Sequence, residues 1–282
     1  MPHFQIQELD AHYTETGRGE PLVLLHAGGT SAAHWRKMTP LLQNRFRVVA
    51  PDLIGFGETS SWHGARDLTH DDQADLVRDL LNGAIGCPVH LVGHSYGGAV
   101  AVRFGLRFPK MVKSMVLIEP VLSPLLPQVG EHALFEAERK LATAFIEDAE
   151  AGRSVSAWRR FIDHHNGDGT WESLSGNARY RFLGMTRETA DAYRSNLNNA
   201  TTLDDLHDLD VPTMVVCGAR TSETYRRICA VLRAHLPRCI ALTLDDAPHM
   251  SPLTHPSQVA DAIMRHVDAV YPSARPERRD AA

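Results

Sequence analysis

Short apolar runs alternate along the chain with longer segments of helical period. Positions 4–8 and 12–16 alternate apolar and polar side chains, as two strands of a hairpin or meander do. Continuous apolar runs follow at 22–25, 47–50, 89–92 and 115–118, and a strand without alternation is one buried on both faces. Segments 31–43, 71–81 and 95–108 lie between them with helix-like spacing. Strand and helix repeated in this order predict a doubly wound, mostly parallel α/β sheet.

The alternation stops after Glu119-Pro120. Residues 121–202 read as helix, with candidate helices at 132–150, 154–165 and 186–197 and a turn at Asn166-Gly167-Asp168-Gly169. The sheet pattern resumes with a run at 213–217, a helix at 222–235, a run at 240–244 and a last helix at 256–270. The predicted organisation is an α/β core over 1–120, a helical insertion after the sixth strand over 121–202, the second part of the core over 203–270, and a loose polar tail over 271–282.

Composition narrows the partners. The 282 residues are 43% hydrophobic and 22% charged, a soluble globular profile. With 29 Lys+Arg against 34 Asp+Glu, no basic footprint for nucleic acid or an anionic membrane is expected. No run approaches the roughly 18 apolar residues of a membrane span, and the N-terminus lacks a basic segment followed by an apolar run, so it reads as mature from Met1. Cys87, Cys217, Cys229 and Cys239 show no metal-finger or CxxC spacing, which fits reduced thiols in a cytoplasm and no metal. The remaining expectation is a small-molecule substrate, with a homodimer left open. Sixteen histidines mean that position, not residue type, must nominate a catalytic one.

Gly93-His94-Ser95-Tyr96-Gly97 is a G-x-S-x-G sequence between a predicted strand and a predicted helix, the context that motif requires. Small residues two before and two after allow a sharp, strained turn that presents the Ser95 hydroxyl at a helix N-terminus. The same glycines lack the Gly-Lys-Ser/Thr of a phosphate loop, so no cofactor is expected there. Leu25-His26-Ala27-Gly28-Gly29 ends an earlier strand. A tetrahedral oxyanion needs two N–H groups aimed at one point, and those of Gly28 and Tyr96 are the candidates. A general base late in the chain is supplied by His249 in Ala247-Pro248-His249-Met250-Ser251-Pro252. His255, before Pro256, reads as a capping or surface residue.

These pieces, with the turn Asp52-Leu53-Ile54-Gly55-Phe56-Gly57, resemble the α/β-hydrolase fold family of serine esterases, lipases and C–C hydrolases over residues 20 to 270. The resemblance implies that the helical insertion is a cap. In most of that family the catalytic Asp stands three residues past a glycine after the strand equivalent to 213–217; here that position holds Thr221. A hydroxyl does not balance an imidazolium as a carboxylate does. Glu119, at the end of the apolar run MVLIE, is the first candidate, because some family members place their acid there; Glu223 is the alternative. Asp245 and Asp246 stand too close to His249 in sequence, and Asp52 reads as a turn residue.

The pocket candidates are His26, Phe56, Trp158, Trp171 and Met250, the two tryptophans reading equally as core of the cap. The expected activity is hydrolysis of a carboxylic ester or lactone of a small, largely apolar molecule through an acyl-enzyme on Ser95. Thioester or C–C bond cleavage by the same residues is the alternative, and a ligand-binding member without turnover is the reading from another class.

Overall fold

The computed structural model describes residues 3–6 and 9–271, with side chains from Leu9 onward. The end of the first predicted strand, 7–8, and the polar tail from 272 lie outside the described residues. Eight strands form the sheet: β1 (His3–Ile6), β2 (Leu9–Thr16), β3 (Glu20–Leu25), β4 (Phe46–Pro51), β5 (Val89–His94), β6 (Val112–Ile118), β7 (Thr213–Gly218) and β8 (Cys239–Leu244). Their order is β1-β2-β4-β3-β5-β6-β7-β8. The β1–β2 and β2–β4 pairings are antiparallel and the others are parallel.

The helices are α1 (Thr39–Leu42), α2 (His70–Leu80), α3 (Tyr96–Arg107), α4 (His132–Glu150), α5 (Ser154–Asn166), α6 (Thr170–Ser173), α7 (Gly176–Leu183), α8 (Thr186–Leu197), α9 (Leu203–Asp208), α10 (Glu223–His235), α11 (Ser251–Thr254) and α12 (Pro256–Val270). The continuous apolar strands are explained by cover on both faces. Val23, Leu25, Leu91 and Leu117 pack with α2, α3 and α10, whereas Leu22, Leu24, Val92 and Val116 pack with α12 and Trp35. The period of two along each strand sends successive side chains to opposite layers.

Helix α4 to helix α8 fill the interval between β6 and β7 and carry a separate apolar cluster around Phe145, Trp158, Trp171 and Tyr193. The predicted helix over 31–43 divides into a 3-10 turn at Ala32–Trp35 and the one-turn α1. Pro40 lacks the N–H that a continuous helix would need there. Short α6, α7 and α9 were not expected; α9 is fixed by reciprocal capping between Thr202 and Asp205. Among the described residues no helix is long and apolar enough to cross a membrane.

Candidate active site

Ser95 joins β5 to α3 with φ 54° and ψ −116°, a conformation that L residues rarely adopt. The flanking glycines make this turn possible. A Cβ on Gly93 would lie 2.3 Å from the Gly97 carbonyl oxygen, and one on Gly97 would lie 2.3 Å from that of Leu25. Ser95 is thereby raised to the C-terminal edge of the parallel strands, where open α/β sheets form their sites.

His249 lies in the loop between β8 and α11. Its Nε2 is 3.1 Å from Ser95 Oγ and its Nδ1 is 2.6 Å from Glu119 Oε2. A carboxylate only accepts, so Nδ1 carries the proton and Nε2 is free to accept from the serine hydroxyl. Glu119 follows β6 with φ 42° and is fully buried. The Gly218 N–H donates to its Oε1 at 2.6 Å, and the Thr221 hydroxyl donates to its Oε2 at 2.6 Å. The threonine found where an Asp was expected thus holds the carboxylate that reaches His249. Glu223 is exposed in the first turn of α10, a place that suits a carboxylate facing the positive end of the helix; the proposed alternative acid is corrected to a surface residue.

Two buried histidines, both unrecognised in the sequence, support His249 from behind. His94 Nε2 is 2.9 Å from the His249 carbonyl oxygen and must donate to it. Burial holds the His94 pKa well below its usual value, so Nδ1 of the neutral ring accepts from His34 Nε2, 3.0 Å away. Burial, reinforced by His26 and His249, pushes His34 down to about 3. On its open side the His249 ring stacks on Tyr225, with centroids 4.1 Å apart and planes at 15°. No spacing in the sequence distinguished Tyr225 from any other apolar position of its helix.

Gly28 and Tyr96 line one pocket with Ser95 and His249. Tyr96 is the first residue of α3, where a backbone N–H has no acceptor within the helix. The pocket lies between α4, α8 and the sheet. A second arm meets it at Gly28, Ser95 and His249 and runs past Met250 and Phe161.

Four of the expected pocket residues do not line either arm. The Leu53 N–H donates to His26 Nε2 at 3.0 Å, and His26 Nδ1 donates to the Ala27 carbonyl at 2.8 Å. His26 is fully buried and acts as a post tying the two turns together. Phe56 packs edge-on against His26 and Tyr96 beneath the site. Trp158 is buried among Phe145, Phe161 and Phe182, donates to Thr186 Oγ1 at 3.0 Å, and reaches the Gly29 backbone. Trp171 is buried beside Phe182. Large apolar rings gain more from complete burial in the helical layer than from a half-exposed pocket wall. Among the described residues no group of three or more His, Cys, Asp or Glu side chains is arranged to hold a metal ion.

The sheet order, the strained serine turn and the histidine loop define a class, and sequence comparison agrees. Residues 22–262 match the model of the alpha/beta hydrolase family, and the chain belongs to that family. It is 37% identical over 116 residues to the 2-hydroxy-6-oxo-2,4-heptadienoate hydrolase of Pseudomonas putida, a match covering 40% of this chain and 42% of that protein. It is 26% identical over 230 residues, 73% of each chain, to the 2-hydroxy-6-oxo-6-phenylhexa-2,4-dienoate hydrolase of Comamonas testosteroni. An alpha/beta hydrolase enzyme from a Medee basin deep-sea metagenome library superposes with a TM-score of 0.80 at 17% identity, over 99% of this chain and 100% of that one. That last likeness shows the fold alone.

Proposed function

We propose that this protein is a serine hydrolase that cleaves a carboxylic ester or lactone of a small molecule through an acyl-enzyme on Ser95. The observation that carries the reading is the continuous contact from Glu119 through His249 to Ser95 Oγ. His249 Nε2 takes the hydroxyl proton as Oγ attacks the substrate carbonyl, and Glu119 holds the tautomer and balances the imidazolium that forms. The Gly28 and Tyr96 N–H groups receive the oxyanion. His249 then protonates the leaving oxygen, and a water deprotonated by the same nitrogen hydrolyses the acyl-enzyme.

A second reading, hydrolysis of a C–C bond beside a ketone, is favoured by the names of the two dienoate hydrolases that the chain resembles. It uses the same residues. Against it, no Lys or Arg among the described residues lines either arm of the pocket to meet a dienoate carboxylate.

A fluorophosphonate probe should label Ser95, and Ser95→Ala should abolish both labelling and hydrolysis of a short p-nitrophenyl ester. Full activity in Ser95→Ala overturns the mechanism. Faster turnover of a 2-hydroxy-6-oxodienoate than of every ester and lactone tried moves the assignment to the second reading.

A further inference from the structure

The arm of the pocket between α4 and α8 contains polar groups that the proposed chemistry leaves unused. Glu138 projects from α4 into the space that also exposes Ser95 and His249, and it is 9% exposed. Burial raises its pKa, against the opposing pull of His249 and of the neighbouring Thr224 hydroxyl. Tyr193 and Thr189, both from α8, line the same arm. Neither hydroxyl has a hydrogen-bond partner among the described residues, although Tyr193 is 9% and Thr189 3% exposed. Burial, and then the neighbouring Glu138, hold the Tyr193 phenol well above its ordinary pKa, so it stays a donor. Ala142, Phe161 and Leu197 supply apolar wall, and Ser123, Asn196, Tyr225 and His165, whose pKa burial holds well below the usual value, also line this arm.

Buried polar atoms are almost always paired. Two unpaired hydroxyls and a buried carboxyl around one space therefore point to a group that arrives from outside. We propose that Glu138, Tyr193 and Thr189 select a substrate carrying a hydroxyl or amine at the end remote from the scissile carbonyl, and reject one carrying a carboxylate there. A hydroxyl satisfies both main partners at once, donating to the Glu138 carboxyl and accepting from the Tyr193 phenol. An ammonium donates to both. A carboxylate accepts from the Tyr193 phenol but faces the Glu138 carboxylate across one buried space with no Lys or Arg in either arm, and that like-charge repulsion disfavours it. This selection rests on the reading of Ser95 as the nucleophile beside which the arm opens.

The test uses the full chain and two kinds of ligand. Binding of benzyl alcohol, benzylamine and benzoate, none of which is hydrolysed, is measured by calorimetry for the wild type, Glu138→Gln and Tyr193→Phe. The alcohol and the amine should bind at least about tenfold more tightly than benzoate, in line with the penalty for leaving a buried hydrogen-bonding site unfilled. Glu138→Gln should reduce the amine-to-benzoate ratio by at least about tenfold, and Tyr193→Phe should weaken the alcohol. Benzoate binding as tightly as the amine in the wild type, or ratios unmoved in both variants, overturns the proposal.

In parallel, kcat/KM is compared for methyl 4-(hydroxymethyl)benzoate and monomethyl terephthalate, with wild type expected to prefer the first. A preference for the terephthalate monoester also overturns it. If no ester turns over and fluorophosphonate leaves Ser95 unlabelled, the nucleophile assignment fails, while the binding ratios still decide the role of Glu138.

Discussion

The hydroxyl of Thr221 donates to Glu119 Oε2 at 2.6 Å, on the same oxygen that His249 Nδ1 reaches. A residue following β7 and a residue following β6 therefore meet at one point: the carboxylate that contacts His249 sits one strand earlier, and the later loop supplies its hydrogen bond. Losing that donor exposes a buried carboxylate to a deficit of about 1–3 kcal/mol. Thr221→Val is expected to lower kcat by about tenfold with little change in KM, as steady-state kinetics on a p-nitrophenyl ester would register.

Glu119→Gln is expected to lower kcat by about a thousandfold or more, because an amide leaves the imidazolium unbalanced and permits the wrong tautomer. Glu223→Gln, at an exposed helix start, should stay within about twofold of wild type. The opposite pattern would move the acid to Glu223.

His94 donates to the carbonyl of His249, so it fixes the backbone that carries the base without meeting substrate. His94→Phe leaves that carbonyl unpaired and should cost about 1–3 kcal/mol of stability. With the ring of His249 less firmly aimed, kcat should fall while KM is kept. Thermal melts and kinetics on the same preparation check both, and an equal rise in KM would argue for a collapsed pocket instead.

Stability should decline on mild acidification. Burial pushes His34 down to about 3 and His70 down to about 4, against about 6.5 in an unfolded chain. Below pH 6.5 the unfolded state therefore binds protons that the folded state refuses, and stability falls with falling pH until each folded pKa is reached. The full contribution is present above pH 6.5. Each histidine removes about 1.4 kcal/mol per pH unit within its window. Urea midpoints at pH 7.5, 6 and 5 should decrease in that order, and His70→Gln should shallow the slope. A midpoint that rises toward pH 5 contradicts the assignment of these rings as neutral.

Most of the sheet was legible because a strand buried on both faces must be apolar throughout, so the runs at 22–25, 89–92 and 115–118 declare themselves. The helix boundaries at 132–150, 186–197 and 256–270 were equally plain from their spacing and agree with α4, α8 and α12. The apolar spacing of 31–43 did not show the break that separates the 3-10 turn from α1. Ser95 was legible from the glycines that its turn demands, and His249 from its order in the chain.

What the sequence by itself determined was the layered α/β plan and the serine turn, since both follow from local sterics and from periodic burial. Tertiary structure alone decided which carboxylate meets His249. That choice depends on β6 and β7 lying side by side, so that Gly218 and Thr221 converge on Glu119 across 99 and 102 residues of chain. It also sent His26, Phe56, Trp158 and Trp171 into packing, and set Glu138 and Tyr193, from two different helices, around one pocket. Side chains distant in sequence acquire a common environment only when the layers close, and a linear pattern carries no record of that meeting.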